Sequence, residues 1–90
     1  MDAAPNLKPK PSVDIDSIEK EVLGWCRDLG LHVTSSADDF FEAGGTSLTA
    51  VRLIARTDAH YGEDVLSPED LYERSSIGQI VQSIHTNLPG

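Results

Sequence analysis

Apolar residues recur along this chain at helical rather than strand spacing. Ile18, Val22, Trp25, Cys26 and Leu29 fall three or four residues apart and share one helix face. They predict a first helix from about Asp16 to Leu29. Asp16 and Glu19 have capping-box spacing, and Gly30 is placed to end the helix in the left-handed region. Gly24 lies inside this helix at a cost of about 1 kcal/mol relative to alanine, and the sequence offers no reason for it. A second helix is predicted from Thr46 or Ser47 to Tyr61, with Gly62 just beyond. Ser67-Pro68-Glu69-Asp70 joins a capping residue, a proline at the first helical position and acids in the first turn. It opens a short helix carrying Leu71 and Tyr72. Ser76 and Gln79 form another capping-box pair, ahead of a last helix whose apolar face is Ile77, Ile80, Val81 and Ile84. No segment alternates as a strand would. The expected fold class is all-α: a four-helix bundle of three main helices, one short helix and a long first loop.

Two stretches depart from a simple amphipathic reading. On the second helix Ala50, Leu53, Ile54 and Tyr61 cluster on one arc with Thr57, while Leu48, Val51, Ala55 and Ala59 make a second. A surface helix needs only one apolar stripe. Either most of its circumference is buried, which periodicity alone favours, or the second arc faces a partner. Residues 31–46 carry no sustained period, and ordered loops of that length are often functional. Phe40 and Phe41 are the only phenylalanines. Adjacent side chains diverge, so at least one pins the loop to the core, a reading that outweighs a cofactor contact.

Composition narrows the function classes. Ninety residues make one domain at most, with no room for a deep substrate cavity plus a catalytic apparatus. Residues 1–13 hold Pro5, Pro9 and Pro11 and read as an extended, disordered arm or linker, leaving 14–88 as the domain. The formal charge is −8. This repels nucleic acid and anionic membranes, and it either favours partners with basic patches or serves solubility. Cys26 is the single cysteine, which fits a reducing cytoplasm. No run approaches the ~18 apolar residues of a membrane span. The chain is therefore read as a soluble, cytoplasmic monomer, whether free-standing or part of a longer protein.

The chemical signal lies in Asp38-Asp39-Phe40-Phe41-Glu42-Ala43-Gly44-Gly45-Thr46-Ser47-Leu48. Gly44 and Gly45 permit positive φ and close approach. Ser47 then presents a hydroxyl at a helix start, where free N–H groups and the positive dipole end favour a phosphate. Phe40 to Leu48 resembles the phosphopantetheine-attachment motif of peptidyl carrier proteins, the thiolation domains of non-ribosomal peptide synthetases. The resemblance runs over roughly residues 18–84. Trp25, Leu29-Gly30, the Asp-Asp-Phe-Phe turn, Ala50, Leu53, Tyr61-Gly62, Leu71-Tyr72 and Ser76-Ile77 fall where that family has similar residues.

The resemblance implies covalent 4′-phosphopantetheine on Ser47, within an attachment motif of Gly44, Gly45, Thr46 and Leu48. A phosphopantetheinyl transferase would install the arm. An aminoacyl or peptidyl group would then ride on its thiol as a thioester, presented to adenylation, condensation, tailoring or thioesterase enzymes in peptide-antibiotic biosynthesis or a related pathway. It implies no catalytic residue in the chain, and it turns Leu48, Val51 and Arg52 toward a partner interface. Thr57 stands where many members have a core leucine, which implies looser packing, and Ser75 replaces a frequent proline. An acyl or aryl carrier of a polyketide or siderophore pathway is the nearest alternative, and a helical interaction domain without the arm is one of a different class. A serine hydrolase is disfavoured, because Gly45-Thr46-Ser47-Leu48-Thr49 lacks the last glycine and the preceding strand of a nucleophile elbow. His32, His60 and His85 are scattered, and with Cys26 they show no metal-ligand spacing.

Overall fold

The computed structural model describes residues 14–88 as a bundle of four helices: α1 (Ile15–Asp28), α2 (Ser47–Tyr61), α3 (Pro68–Glu73) and α4 (Ile77–Asn87). The anticipated arm at 1–13 and the closing Pro89-Gly90 lie outside the described residues. The expected all-α class holds, with one isolated antiparallel bridge between Asp39 and Ser76 as the extended pairing among those residues.

α1 begins earlier than the Asp16–Glu19 pair predicts. Asp14 is the N-cap, and its carboxylate accepts the Ser17 N–H at 2.9 Å. Asp14 has the extended backbone a cap requires (φ −83°, ψ 165°), whereas Asp16 lies in the first turn, its charge near the positive helix end. At the other end the Gly30 N–H donates to Arg27 O at 3.0 Å and the Leu31 N–H to Cys26 O at 2.9 Å. With Gly30 at φ +93°, this is a Schellman motif. It turns the chain sharply and drives Leu31 into the core.

Ile18, Val22, Leu23 and Cys26 bury one face of α1, which packs most extensively on Ile77, Ile80, Val81 and Ile84 of α4. Trp25 and Leu29 lie at the margin of this core. α4 starts with the predicted capping box, the Ser76 side chain accepting the Gln79 N–H and the Gln79 side chain accepting the Ser76 N–H. α3 starts with Ser67 accepting the Asp70 N–H and Pro68 in the first turn. Val65 and Leu66, in the α2–α3 connection, are fully buried although no period marked them. Gly24 has open space around its Cα, so the structure gives it no packing reason.

α2 settles the question of its two arcs. Ala50, Leu53 and Thr57 are buried and Ile54 and Tyr61 half-buried, while Leu48, Val51, Ala55 and Ala59 are all exposed. Burial around the circumference, favoured by periodicity alone, is not what forms. Thr57 is fully buried, and its hydroxyl donates to Leu53 O at 2.9 Å, so the polar atom is satisfied within its own helix.

Candidate functional site: an exposed serine at the start of α2

The loop from α1 to α2 is held by its own aspartates. Asp38 Oδ2 accepts the Thr34 N–H at 2.7 Å and the Ser35 N–H at 3.1 Å, and those backbone donors draw its carboxyl below the usual carboxylate range. Asp39 Oδ2 accepts from the Phe41 and Glu42 N–H groups at 2.9 and 3.1 Å. Its other oxygen accepts the Ser75 hydroxyl, the largest cause holding the Asp39 carboxyl low. Backbone bonds from Phe40 N to Ser75 O (2.7 Å), Ile77 N to Asp38 O (2.8 Å) and Gly78 N to Ser36 O (2.9 Å) fasten the same loop to the start of α4. Ser75, which carries no role in the sequence reading, is thus a fixing point for the segment leading to Ser47.

Phe40 is the core anchor of this loop, with 0% of its surface exposed. Phe41 diverges as expected and lies half-buried, its ring stacked on Tyr72 of α3 with centroids 5.5 Å apart. The two glycines have different reasons. Gly44 has φ +113°, a conformation L side chains rarely take. At Gly45 an added Cβ would lie 2.5 Å from Phe40 Cε2 and 2.7 Å from Phe40 O. The backbone therefore passes directly over the buried ring, and only glycine fits.

Immediately after this crossing the chain enters α2. Thr46 is the N-cap and accepts the Thr49 N–H at 3.2 Å. Ser47 is the first helical residue and is exposed. Among the described residues no hydrogen bond engages its hydroxyl, nor the backbone N–H of Ser47 or Leu48. The free donors and the positive end of a fifteen-residue helix suit a phosphodiester at this point. His60 lies thirteen residues further along the same helix, about 20 Å at 1.5 Å per residue, and packs on Trp25 and Tyr61. It is no base for Ser47. The turn before Ser47 is not a strand either, which removes the nucleophile-elbow reading.

Leu48 and Val51, each 61% exposed, stand one turn apart beside Ser47, with Arg52 exposed next to them. Arg56 pairs with Asp28 at 3.3 Å, joining α2 to the C-terminal end of α1. Asp28, Leu29, Leu48, Thr49, Arg52 and Arg56 line a surface groove of about 270 Å³. The Asp39–Ser75 contact, the Asp28–Arg56 pair and this groove join residues remote in sequence, and no local pattern announces them. No group of His, Cys, Asp or Glu that could hold a metal occurs among the described residues. No helix there is long and apolar enough to cross a membrane.

The site is thus an exposed, unengaged serine at a helix start, reached where Gly45 crosses a buried ring. Residues 24–84 match the family described as the phosphopantetheine attachment site, and the chain belongs to that family. Its members carry 4′-phosphopantetheine covalently and are not themselves catalytic. The chain is 45% identical over 49 residues to phosphinothricin tripeptide synthetase PhsC of Streptomyces viridochromogenes, covering 53% of this chain and 4% of that protein. It is 46% identical over 37 residues to syringomycin synthase SyrB1 of Pseudomonas syringae pv. syringae, covering 41% of this chain and 6% of that protein. The matched segments are thus small parts of much longer relatives. No solved structure matches the chain significantly.

Proposed function

We propose that residues 14–88 form a peptidyl carrier domain whose phosphopantetheine arm is attached to Ser47 Oγ, in the biosynthesis of a non-ribosomal peptide or related metabolite. The observation that carries the site assignment is the free, exposed Ser47 hydroxyl at the first position of α2, beyond Gly44, Gly45 and Thr46. The likeness to a tripeptide synthetase favours a peptidyl over an acyl or aryl carrier.

With no described residue hydrogen-bonded to its hydroxyl, Ser47 depends on a phosphopantetheinyl transferase. The transferase takes the hydroxyl proton, and the serine oxygen bonds to phosphorus as the pyrophosphate of coenzyme A breaks, releasing adenosine 3′,5′-bisphosphate. The free N–H groups at the start of α2 and its positive dipole end offset the negative phosphodiester. Once attached, the arm supplies a thiol that holds an aminoacyl or peptidyl group as a thioester. The rigid loop under Gly45 keeps the attachment point fixed, and Leu48, Val51 and Arg52 meet the adenylation, condensation, tailoring or thioesterase enzyme that receives the cargo.

The test is intact mass after incubation with a phosphopantetheinyl transferase and coenzyme A. The wild type should gain the mass of one arm and Ser47→Ala none. An unmodified wild type, under conditions that modify a control carrier, would remove the carrier reading. Modification of Ser47→Ala would move the site elsewhere.

A further inference from the structure

The chain carries 15 acids against seven Lys and Arg residues, which by composition alone either favours basic partners or serves solubility. The exposed face of α2 has the opposite character. Its exposed residues are Ser47, Leu48, Val51, Arg52, Ala55, Ala59 and His60, and none is an acid. Asp58, the one acid in this helix, is half-buried. Arg52 is exposed and makes no hydrogen bond or ion pair among the described residues. Arg56 is held over the groove by Asp28. The two arginines outnumber the single carboxylate there, so the groove beside the attachment serine keeps a net positive charge. Two of the three large exposed apolar side chains among the described residues, Leu48 and Val51, stand on this same face.

We propose that this face docks an acidic enzyme surface, with an apolar centre covering Leu48 and Val51 and carboxylates meeting Arg52 and Arg56. The inference rests on the carrier reading, and it names the charge of the enzyme surface that the carrier selects. Charge complementarity argues for it: a carboxylate finds Arg52 unpaired among the described residues and Arg56 one turn on, against the single Asp28 that Arg56 already engages, and no acid on the exposed face of that helix to repel it. A second copy of the chain is the wrong occupant, because two bodies of charge −8 repel as they approach. The overall negative charge then sharpens selection. A partner acidic everywhere is rejected at long range, and one acidic only at the docking patch is accepted.

The probe is an adenylation enzyme that aminoacylates the wild-type holo protein. Arg52→Glu should lower kcat/KM for aminoacylation about three- to tenfold through KM, with kcat unchanged. Arg52→Lys should stay near wild type, and Arg52→Gln should fall between. A rise with Arg52→Glu would show a basic partner surface and overturn the proposal, as would equal rates for all three. Docking is also read by NMR titration of the same enzyme into Ser47→Ala, which does not depend on where the arm is attached. Shifts there should centre on α2 and weaken with Arg52→Glu. Shifts confined to other helices would count against the face itself. Sedimentation closes the remaining route: a wild-type dimer dissociated by Arg52→Glu would make a second copy the occupant and overturn the proposal.

Discussion

Three residues show how much of the site is set by packing rather than by chemistry. Phe40 is fully enclosed, so Phe40→Ala should cost about 3–5 kcal/mol. Phe41→Ala, at a half-buried ring stacked on Tyr72, should cost clearly less. Urea titrations of the two variants compare them directly, and equal losses would contradict the division of labour between the rings. Gly45 depends on the same ring. Because an added methyl would meet Phe40 O as well as the ring, rotating the phenyl cannot relieve Gly45→Ala. The variant should lose about 1–3 kcal/mol and be modified more slowly by a transferase, since the start of α2 must shift. Cys26 is fully buried in α1, and burial pushes its thiol up to about 12. The thiolate is the reactive form, so iodoacetamide should label the arm of the native holo protein and leave Cys26 untouched until denaturant is added. Native labelling of Cys26 in the unmodified protein would show that the α1–α4 core opens readily.

At the scale of the elements, legibility follows the range of the interactions. The capping box of α4, the Ser67 cap of α3 and the Gly30 stop of α1 are all made within a few residues, so their chemistry stands in the local sequence. The cap of α1 lies at Asp14 rather than Asp16 because both acids can cap: the spacing to Glu19 favours Asp16, and only the backbone conformation selects Asp14. Leu31, Val33, Val65 and Leu66 are core residues that periodicity could not mark, because they lie in connections whose burial is decided by the helices around them. The second arc of α2 was ambiguous for a related reason: an apolar stripe reads alike whether a helix of the same chain or another protein covers it. Among the described residues it stays exposed, which yields a prediction. Leu48→Glu should keep the helical circular dichroism and melting temperature near wild type while slowing transfer to partner enzymes. Loss of the melting transition would return Leu48 to the core.

Across the whole molecule the decisive link is one the sequence could not display. Asp39 and Ser75 are 36 residues apart, and their hydrogen bond ties the loop that delivers Ser47 to the start of α4, which is itself packed on α1. The approach to Ser47 is therefore braced from both ends of the fold, and that brace is ionic and sensitive to acid. The folded pKa of Asp39 lies below its ordinary value of 3.8, first through the Ser75 hydroxyl and further through the Glu42 and Phe41 N–H groups. A carboxylate lowered on folding contributes stability that is fully present above its unfolded pKa and is lost as pH falls through the folded one. The ionic part of the Asp39 brace should thus be intact at neutral pH and fade below about pH 3.8. Asp39→Asn separates this effect from the general relief of charge repulsion in acid, which both proteins share apart from the one charge. Asn stays neutral and keeps one acceptor oxygen, its NH2 replacing the other, so its melting temperature should fall furthest below wild type near pH 7, and the gap should narrow as pH drops past that point. A gap that is constant with pH would assign Asp39 a purely geometric role. In that case the arrangement of its two acceptor oxygens would account for the brace, and its charge would contribute nothing to holding the loop.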